Sequence, residues 1–268
     1  MTALSARIEG IGYWSKGLPS WRDAVAFVQD GVLPENAPAR PSPQLLAANE
    51  RRRAPESVAV ALEVALAACE AAGRDPATLP SVFASTHGDL GITDYMSEIL
   101  AGDDPASISP TKFHNSVHNA AAGYWTIGAG CMHPATALSA YDASFAQGLL
   151  EAMVQLATGN HAVLLVAYDT AAVGPLMSVH QATGTLGGAL LLAGGDGAGR
   201  SIAVRLGDAD ASPAKGALAI REAGNAMHPM LPVFDALAHD HAASLQIDAG
   251  AGRALHIDMA RPDRRMLS

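Results

Sequence analysis

The chain has 268 residues, of which 49% are hydrophobic and 16% charged, and its formal net charge is −9. This length allows a large core in one or two domains, whereas the acidic balance and the lack of a basic stripe exclude an ordinary nucleic-acid-binding protein. The mean hydropathy of +0.16 fits either an alanine-rich core with deeply buried helices or a large apolar surface for a partner, and the two are compatible.

The first predicted element is a strand over residues 3–13, followed by a helix over 20–31 that has Ser20 as its N-cap. Four prolines mark residues 34–43 as a loop. A longer helix is predicted from about Pro55 to Ala72. We expect it to be buried between layers because its faces are apolar apart from one stripe of glutamates, Glu56, Glu63 and Glu70.

The middle of the chain alternates short apolar runs with helical patterns. The predicted strands and helices, in order, are a strand at 81–86, a helix at 94–101, a loop at 105–110, a helix at 117–128, a strand at 134–139, a helix at 142–158, and strands at 161–168, 184–193 and 201–206. Gly123 lies within the helix at 117–128, and we expect it to mark a close packing of helices.

Buried strands that alternate with buried helices predict an α/β layered fold. Beyond residue 208 the pattern is less regular, although strands at 243–248 and 253–259 around a Gly-rich turn indicate a hairpin. We therefore predict a domain over 1–207 and a short extension over 208–268 whose hairpin packs on that domain.

A strand–turn–helix pattern at residues 134–158 is the most informative feature of the sequence. It places one side chain at the amino end of a buried helix, where the helix dipole and free N–H groups stabilise a thiolate. Tyr141 stands where such a thiol is expected, so the turn has the layout of a nucleophile turn without a nucleophile.

Other residues near the turn offer alternative nucleophiles. Cys131 precedes it by ten residues and is more typical of a packing cysteine, since a catalytic thiol needs an electropositive helix start. Ser139 fits an N-cap better than a nucleophile, because no Gly-x-Ser-x-Gly motif surrounds it. An acyltransferase or thioesterase that uses Ser139 or Cys131 remains the alternative to an inactive site.

The sequence predicts no metal and no cofactor. The Gly-rich segment 194–199 is not followed by a clear helix, so a turn is favoured over a dinucleotide site. Four histidines have spacings that do not match known zinc motifs. These histidines are His87, His114, His118 and His133.

We also expect a cytoplasmic protein. No basic amino-terminal segment precedes an apolar run, and charged residues or glycines interrupt the apolar stretches before they could span a membrane. Two cysteines are too few for a disulfide framework.

Several segments, in the right order and spacing from about residue 45 to 195, resemble the β-ketoacyl synthases. Ser109–Gly123 is similar to the loop and helix that precede the active-site strand of these synthases. Ala137–Ser144 is similar to their nucleophile turn. Ala162–Asp169 and Gly184–Leu192 resemble the two strands that follow, and Arg51–Arg53 with the helix after it fits the same family.

The resemblance implies a thiolase-like layered fold that is mainly the first half of a synthase, a mixed five-stranded sheet with helices on both faces, with the second half truncated. It places Tyr141 at the family's cysteine position. The contexts of the family's two histidines are not found, so the resemblance implies no catalytic residue and points to a chain length factor of aryl polyene or type II polyketide systems.

Such a subunit would pair with a catalytic ketosynthase through the strand at 134–139 and contact the acyl carrier protein only indirectly. A homodimer is the alternative when the chain is alone. A purely structural synthase partner is a further alternative. The residues that the resemblance assigns to the tunnel or interface are Phe113, His114, Asn115, His118, Ser139, Tyr141 and Phe145.

Overall fold

The computed structural model describes residues 3–178, 180, 182–209, 216–239 and 241–261. Eight strands form one mixed sheet, in the order β3-β2-β4-β5-β1-β6-β8-β7. Their bounds are β1 (Leu4–Ser15), β2 (Ser81–Ala84), β3 (Ala135–Leu138), β4 (Ala162–Asp169), β5 (Leu186–Ala193), β6 (Arg200–Asp208), β7 (Ala243–Gly250) and β8 (Arg253–Met259).

Helices cover both faces of this sheet. They are α1 (Trp21–Asp30), α2 (Ala48–Arg53), α3 (Glu56–Ala72), α4 (Leu90–Ala101), α5 (Pro110–His114), α6 (Ala120–Gly128), α7 (Ser144–Ala157), α8 (Ala217–Arg221) and α9 (Leu231–Leu237). Short 3-10 turns occupy Pro76–Thr78, Pro105–Ser107, Tyr141–Ala143, Gly174–Ser178 and His228–Met230.

The predicted α/β class is confirmed, and the sheet is larger than expected. β2 is parallel to both β3 and β4, and the remaining pairings are antiparallel. The five strands β3-β2-β4-β5-β1 correspond to the mixed five-stranded sheet that was predicted for the first half of a synthase. The sheet then continues through β6 into the β7–β8 hairpin, because β8 pairs with β6 from Ile202 to Asp208.

One face of the sheet is sealed by α3, which carries ten buried residues, as its apolar faces predict. It lies unusually close to β1, since a Cβ on Gly10 or Gly12 would overlap the carbonyl of Ala68 or Val64. α6 packs beside α3. The expected close packing at Gly123 is wrong, because a Cβ there would meet nothing within 4 Å.

The opposite face holds α7, α1, α8 and α9 in a second core. The sheet curls so that β7 lies against α7, where Gln147 Nε2 donates to Ala249 O at 2.7 Å. The guanidinium of Arg200, which is 7% exposed, joins β6 to the end of α9 by donating to the carbonyls of Leu237 and His239.

Several boundaries differ from the predicted ones for local reasons. α4 begins at Leu90 rather than 94, because the carboxylate of Asp89 accepts a hydrogen bond from Ile92 N at 2.9 Å and caps the helix. α6 begins at Ala120 rather than 117, and α5 begins inside the predicted loop. α9 lies in the part predicted to be irregular. Among the described residues, no helix is both long and apolar enough to cross a membrane.

Candidate functional site

The turn between β3 and α7 holds Tyr141 in a left-handed backbone conformation, with φ of +53°. For a residue with a Cβ this conformation costs roughly 1 kcal/mol. Ser144 fixes the turn, because its Oγ donates to Tyr141 O at 2.6 Å and accepts from Ala140 N at 2.9 Å. The backbone thus presents residue 141 at the tip of the turn that opens α7.

The side chain of Tyr141 is 54% exposed and lies edge-on to two imidazoles. Its ring centroid is 5.1 Å from that of His180 and 6.3 Å from that of His87. The two imidazole centroids are 4.6 Å apart. Sequence reasoning did not identify His180, which follows β4 in an irregular segment and belongs to no motif.

The two histidines have different surroundings. His180 Nε2 lies 3.5 Å from Asp142 Oδ1. His87 Nε2 is buried without a hydrogen-bond partner among the described residues. Burial lowers the pKa of His87, the neighbouring His180 and His118 lower it further, and only Asp142 opposes them. His87 is therefore held in its neutral form more strongly than an exposed histidine.

The loop that carries His87 is organised by Asp169 at the end of β4. This carboxylate is 1% exposed and accepts hydrogen bonds from Ser85 Oγ at 2.7 Å and Thr86 N at 2.9 Å. Burial raises the pKa of Asp169, and the hydrogen bonds oppose the rise. His118 also contacts this loop, because its Nε2 lies 2.9 Å from Ser85 O. This contact gives the predicted interface histidine a structural role.

The alternative nucleophiles are all engaged with backbone carbonyls. Ser139 Oγ donates to Thr86 O at 2.9 Å, and the buried Cys131 donates to Leu79 O at 3.3 Å. Neither makes a hydrogen bond to an imidazole of the described residues. Ser139 does not cap α7 as expected, because Ser144 makes the hydrogen bonds at that turn.

β3 is an edge strand, and large apolar side chains around it are exposed. α6 contacts β3 on one side, and a groove between β3 and α7 lies on the other. Met132 just before β3 is 96% exposed and Ile127 of α6 is 82% exposed. We call this surface the β3 face, and its exposed apolar residues are Val117, Ile127, Met132, Tyr141 and Val154.

The other residues predicted for the tunnel or interface lie partly in the core and partly on the surface. Phe145 is 1% exposed and packs on Phe234 with centroids 6.4 Å apart, so it belongs to the core. Asn115 is also buried, and its Nδ2 donates to Thr111 O at 3.0 Å. His114 is exposed, lies beside Tyr124 and lines the same pocket as Val117 and Ile127. Phe113 of α5 is 62% exposed.

The sequence matches the profile of the family described as beta-ketoacyl synthase, N-terminal domain, over residues 23–249. The chain belongs to this family. No sequence among the curated proteins matches it.

Solved structures share the fold. A chain of the complex of the ketosynthase ApeO with its chain length factor ApeC from Xenorhabdus doucetiae is 22% identical, with a TM-score of 0.72 over 95% of this chain and 99% of that one. The ishigamide ketosynthase/chain length factor gives 16% identity and a TM-score of 0.72 over 97% and 100% of the two chains. AntDE:AntF, a type II polyketide ketosynthase with its acyl carrier protein, gives 10% identity, a TM-score of 0.71 and coverage of 97% and 100%.

The profile match confirms the predicted family, and the solved structures confirm the thiolase-like fold.

Proposed function

We propose that this chain is a non-catalytic ketosynthase-like subunit, a chain length factor, which pairs with a cysteine-bearing β-ketoacyl synthase and bounds its acyl tunnel. The observation that carries the proposal is the left-handed Tyr141 at the tip of the β3–α7 turn. The strained geometry that presents a nucleophile is kept, while the side chain is a phenol. With an ordinary pKa of about 10, a phenol is a poor nucleophile.

The chemistry of the neighbouring groups supports an inactive site. The hydroxyl of Ser139 and the thiol of Cys131 donate to carbonyls, and neither has an imidazole base among its hydrogen-bond partners in the described residues. These contacts favour the proposal over an acyltransferase or a thioesterase that uses either residue.

The β3 edge supports pairing with a synthase. Pro134 O and Leu138 O accept hydrogen bonds from Ser81 N and Ser85 N. Since bonding direction alternates along a strand, Ala135 and Ala137 direct their N–H and C=O groups away from β2. A partner strand that bonds to these groups would extend the sheet and cover the β3 face.

The proposed role of Tyr141 is steric. Its ring is braced by His87 and His180 and more than half of its surface faces outward, towards the space that a partner's tunnel would occupy. Product length then depends on the volume that the phenol leaves free, because overfilling a packed pocket is unfavourable.

The pairing is tested by co-purification of the tagged chain with its synthase. Ala137→Pro removes one outward N–H without breaking the pairing to β2, and we expect it to abolish co-purification. Ala137→Ser keeps the N–H and serves as the matched control. Equal recovery of the synthase with both variants would refute pairing through β3.

The steric role is tested by product analysis of the assembled complex. We expect Tyr141→Ala to lengthen the acyl products, whereas Tyr141→Phe, which removes only the hydroxyl, leaves them unchanged. Unchanged products with Tyr141→Ala would instead favour a purely structural partner. Condensation of malonyl and acyl thioesters by the chain alone, at the rate of the complex, would contradict the non-catalytic assignment.

A further inference from the structure

A groove of about 430 Å³ lies between α2, α5 and α6 and adjoins the β3 face. Its lining is mainly apolar, and the apolar residues are Leu46, Val117, Ala120, Gly123, Tyr124 and Ile127. Val117 and Ile127 also belong to the β3 face. The groove therefore continues the surface through which the chain is proposed to pair with a synthase.

Gly123 lies in the interior of α6 and lines the groove. Its φ does not lie in the left-handed region, and a Cβ on it would meet no described atom within 4 Å. Neither the backbone nor the packing of the described chain therefore requires a glycine at this position. Since glycine is less stable than alanine in the interior of a helix, its presence indicates that another molecule approaches α6 closely there.

The two sides of the groove differ in polarity. Glu50 and Arg53 of the lining lie on α2, whereas α6 carries no charged side chain. Ile127 is 82% exposed and Val117 is 52% exposed. An apolar surface beside a charged rim is typical of a protein interface, whereas a small-molecule site needs several polar groups that converge on the ligand.

We propose that this groove receives a large apolar side chain, such as leucine, methionine or phenylalanine, from a helix of the partner synthase. Because Gly123 has no side chain, that helix can lie close to α6. The same contact covers Val117 and Ile127 and removes their apolar surface from water.

The inference rests on the proposed pairing with a synthase and adds a determinant of partner choice. A synthase without a large apolar side chain at this position leaves the groove unfilled and loses the packing contacts along it. Gly123, which the sequence predicts to mark close helix packing, then serves that packing between two chains rather than within one.

The dissociation constant for the synthase, measured by surface plasmon resonance on the purified partners, tests the groove. We expect Gly123→Leu to weaken association by about tenfold or more, because the new side chain occupies the space of the partner's side chain. Ala71→Leu places the same side chain on the exposed last turn of α3, outside the groove, and should bind as the parent does.

The fold of the variants is checked separately. Gly123→Leu and Gly123→Ala should melt at or above the temperature of the parent, since both residues favour a helix over glycine and a Cβ at this position meets no described atom. Association should weaken more with leucine than with alanine. Loss of binding in a variant that keeps its melting temperature then reports on the groove and not on unfolding.

Photo-cross-linking identifies the occupant. With p-benzoylphenylalanine in place of Tyr124, which lines the groove, we expect a cross-link to an apolar residue on a helix of the synthase. A cross-link mainly to a second copy of this chain would overturn the proposal. Equal affinity of Gly123→Leu and the parent, while Ala137→Pro abolishes binding, would overturn the groove alone. Failure of the parent to bind the synthase would overturn the pairing as well.

Discussion

The two edges of the sheet differ in how they meet solvent. β7 carries polar side chains such as Ser244, whose Oγ donates to Asp258 Oδ1 of β8 at 2.6 Å, and it has a bulge between Asp248 and Gly250. Polar side chains and bulges are devices that keep an edge strand from pairing. β3 carries no charged side chain, and exposed Met132 and Ile127 flank it. We infer that β7 is built to stay free and β3 to be covered.

The turns that follow the two edge strands, β7 and β3, also differ from each other. Ala251 after β7 and Tyr141 after β3 are non-glycine residues with positive φ among those described. Ala251 closes a tight hairpin together with Gly250 and Gly252, so its conformation joins two paired strands. Tyr141 joins a strand to a helix and displays a large side chain. The same backbone conformation thus connects two paired strands in the turn of Ala251 and exposes a large side chain in the turn of Tyr141.

The largest effect is expected from charges on the β3 face. Ile127→Lys/Met132→Lys should weaken association with the synthase by about 100-fold or more, since two apolar contacts are replaced by buried charges. The dissociation constant, measured by surface plasmon resonance on the purified partners, checks this. Ser244→Lys/Gln246→Lys on β7 should bind the synthase as the parent does. A comparable loss of affinity in both variants would show that the two edges do not differ in binding the synthase.

A thiol in place of Tyr141 tests whether the turn still activates its tip. We expect Tyr141→Cys to react with iodoacetamide about tenfold faster than Ser139→Cys, because position 141 opens α7 whereas position 139 precedes the turn. The second-order rate constants at pH 7, followed by mass spectrometry, give the comparison. Equal rates would show that the turn retains the shape of a nucleophile turn without its electrostatics.

The half-buried imidazole of His87 beside Tyr141 predicts a pH effect on stability. The pKa of His87 is lowered on folding, mainly by burial, so the unfolded chain binds a proton more readily. Stability should therefore fall as the pH drops below about 6.5, the ordinary histidine value, and level off below the folded-state pKa. Urea unfolding at pH 7.5 and 5.5 measures the difference, which His87→Gln should reduce. His256→Gln, on β8, should leave it unchanged.

The smallest effect is expected at the hairpin turn. Ala251→Gly removes the left-handed strain of a Cβ and adds chain entropy to the unfolded state, so the free energy of unfolding should change by less than about 1 kcal/mol. Association with the synthase should not change. A shift in synthase affinity would mean that the β7 end takes part in the interface.

Much of the fold follows from local pattern. The predicted strand at 3–13 and helix at 20–31 correspond to β1 and α1, and Ser20 caps α1 by accepting a hydrogen bond from Asp23 N. The hairpin after residue 243 is present as β7 and β8. These elements were predictable because periodicity and caps depend on neighbours in the chain.

The composition of the candidate site was only partly predictable. The turn and Tyr141 were identified from the sequence, but His180 joins Tyr141 across 39 positions and has no motif around it. The sequence likewise did not reveal that Phe145 faces the core. α7 has an apolar residue at most positions, so its pattern does not tell which side meets the sheet.

By itself, the sequence determined the α/β class, the resemblance to the synthases and the phenol at the turn that opens α7, because each depends on residue type and local order. The tertiary structure decided which edge of the sheet is left open and which imidazoles brace Tyr141. Those arrangements depend on how distant segments pack, and distant packing has no period or spacing that a single chain displays.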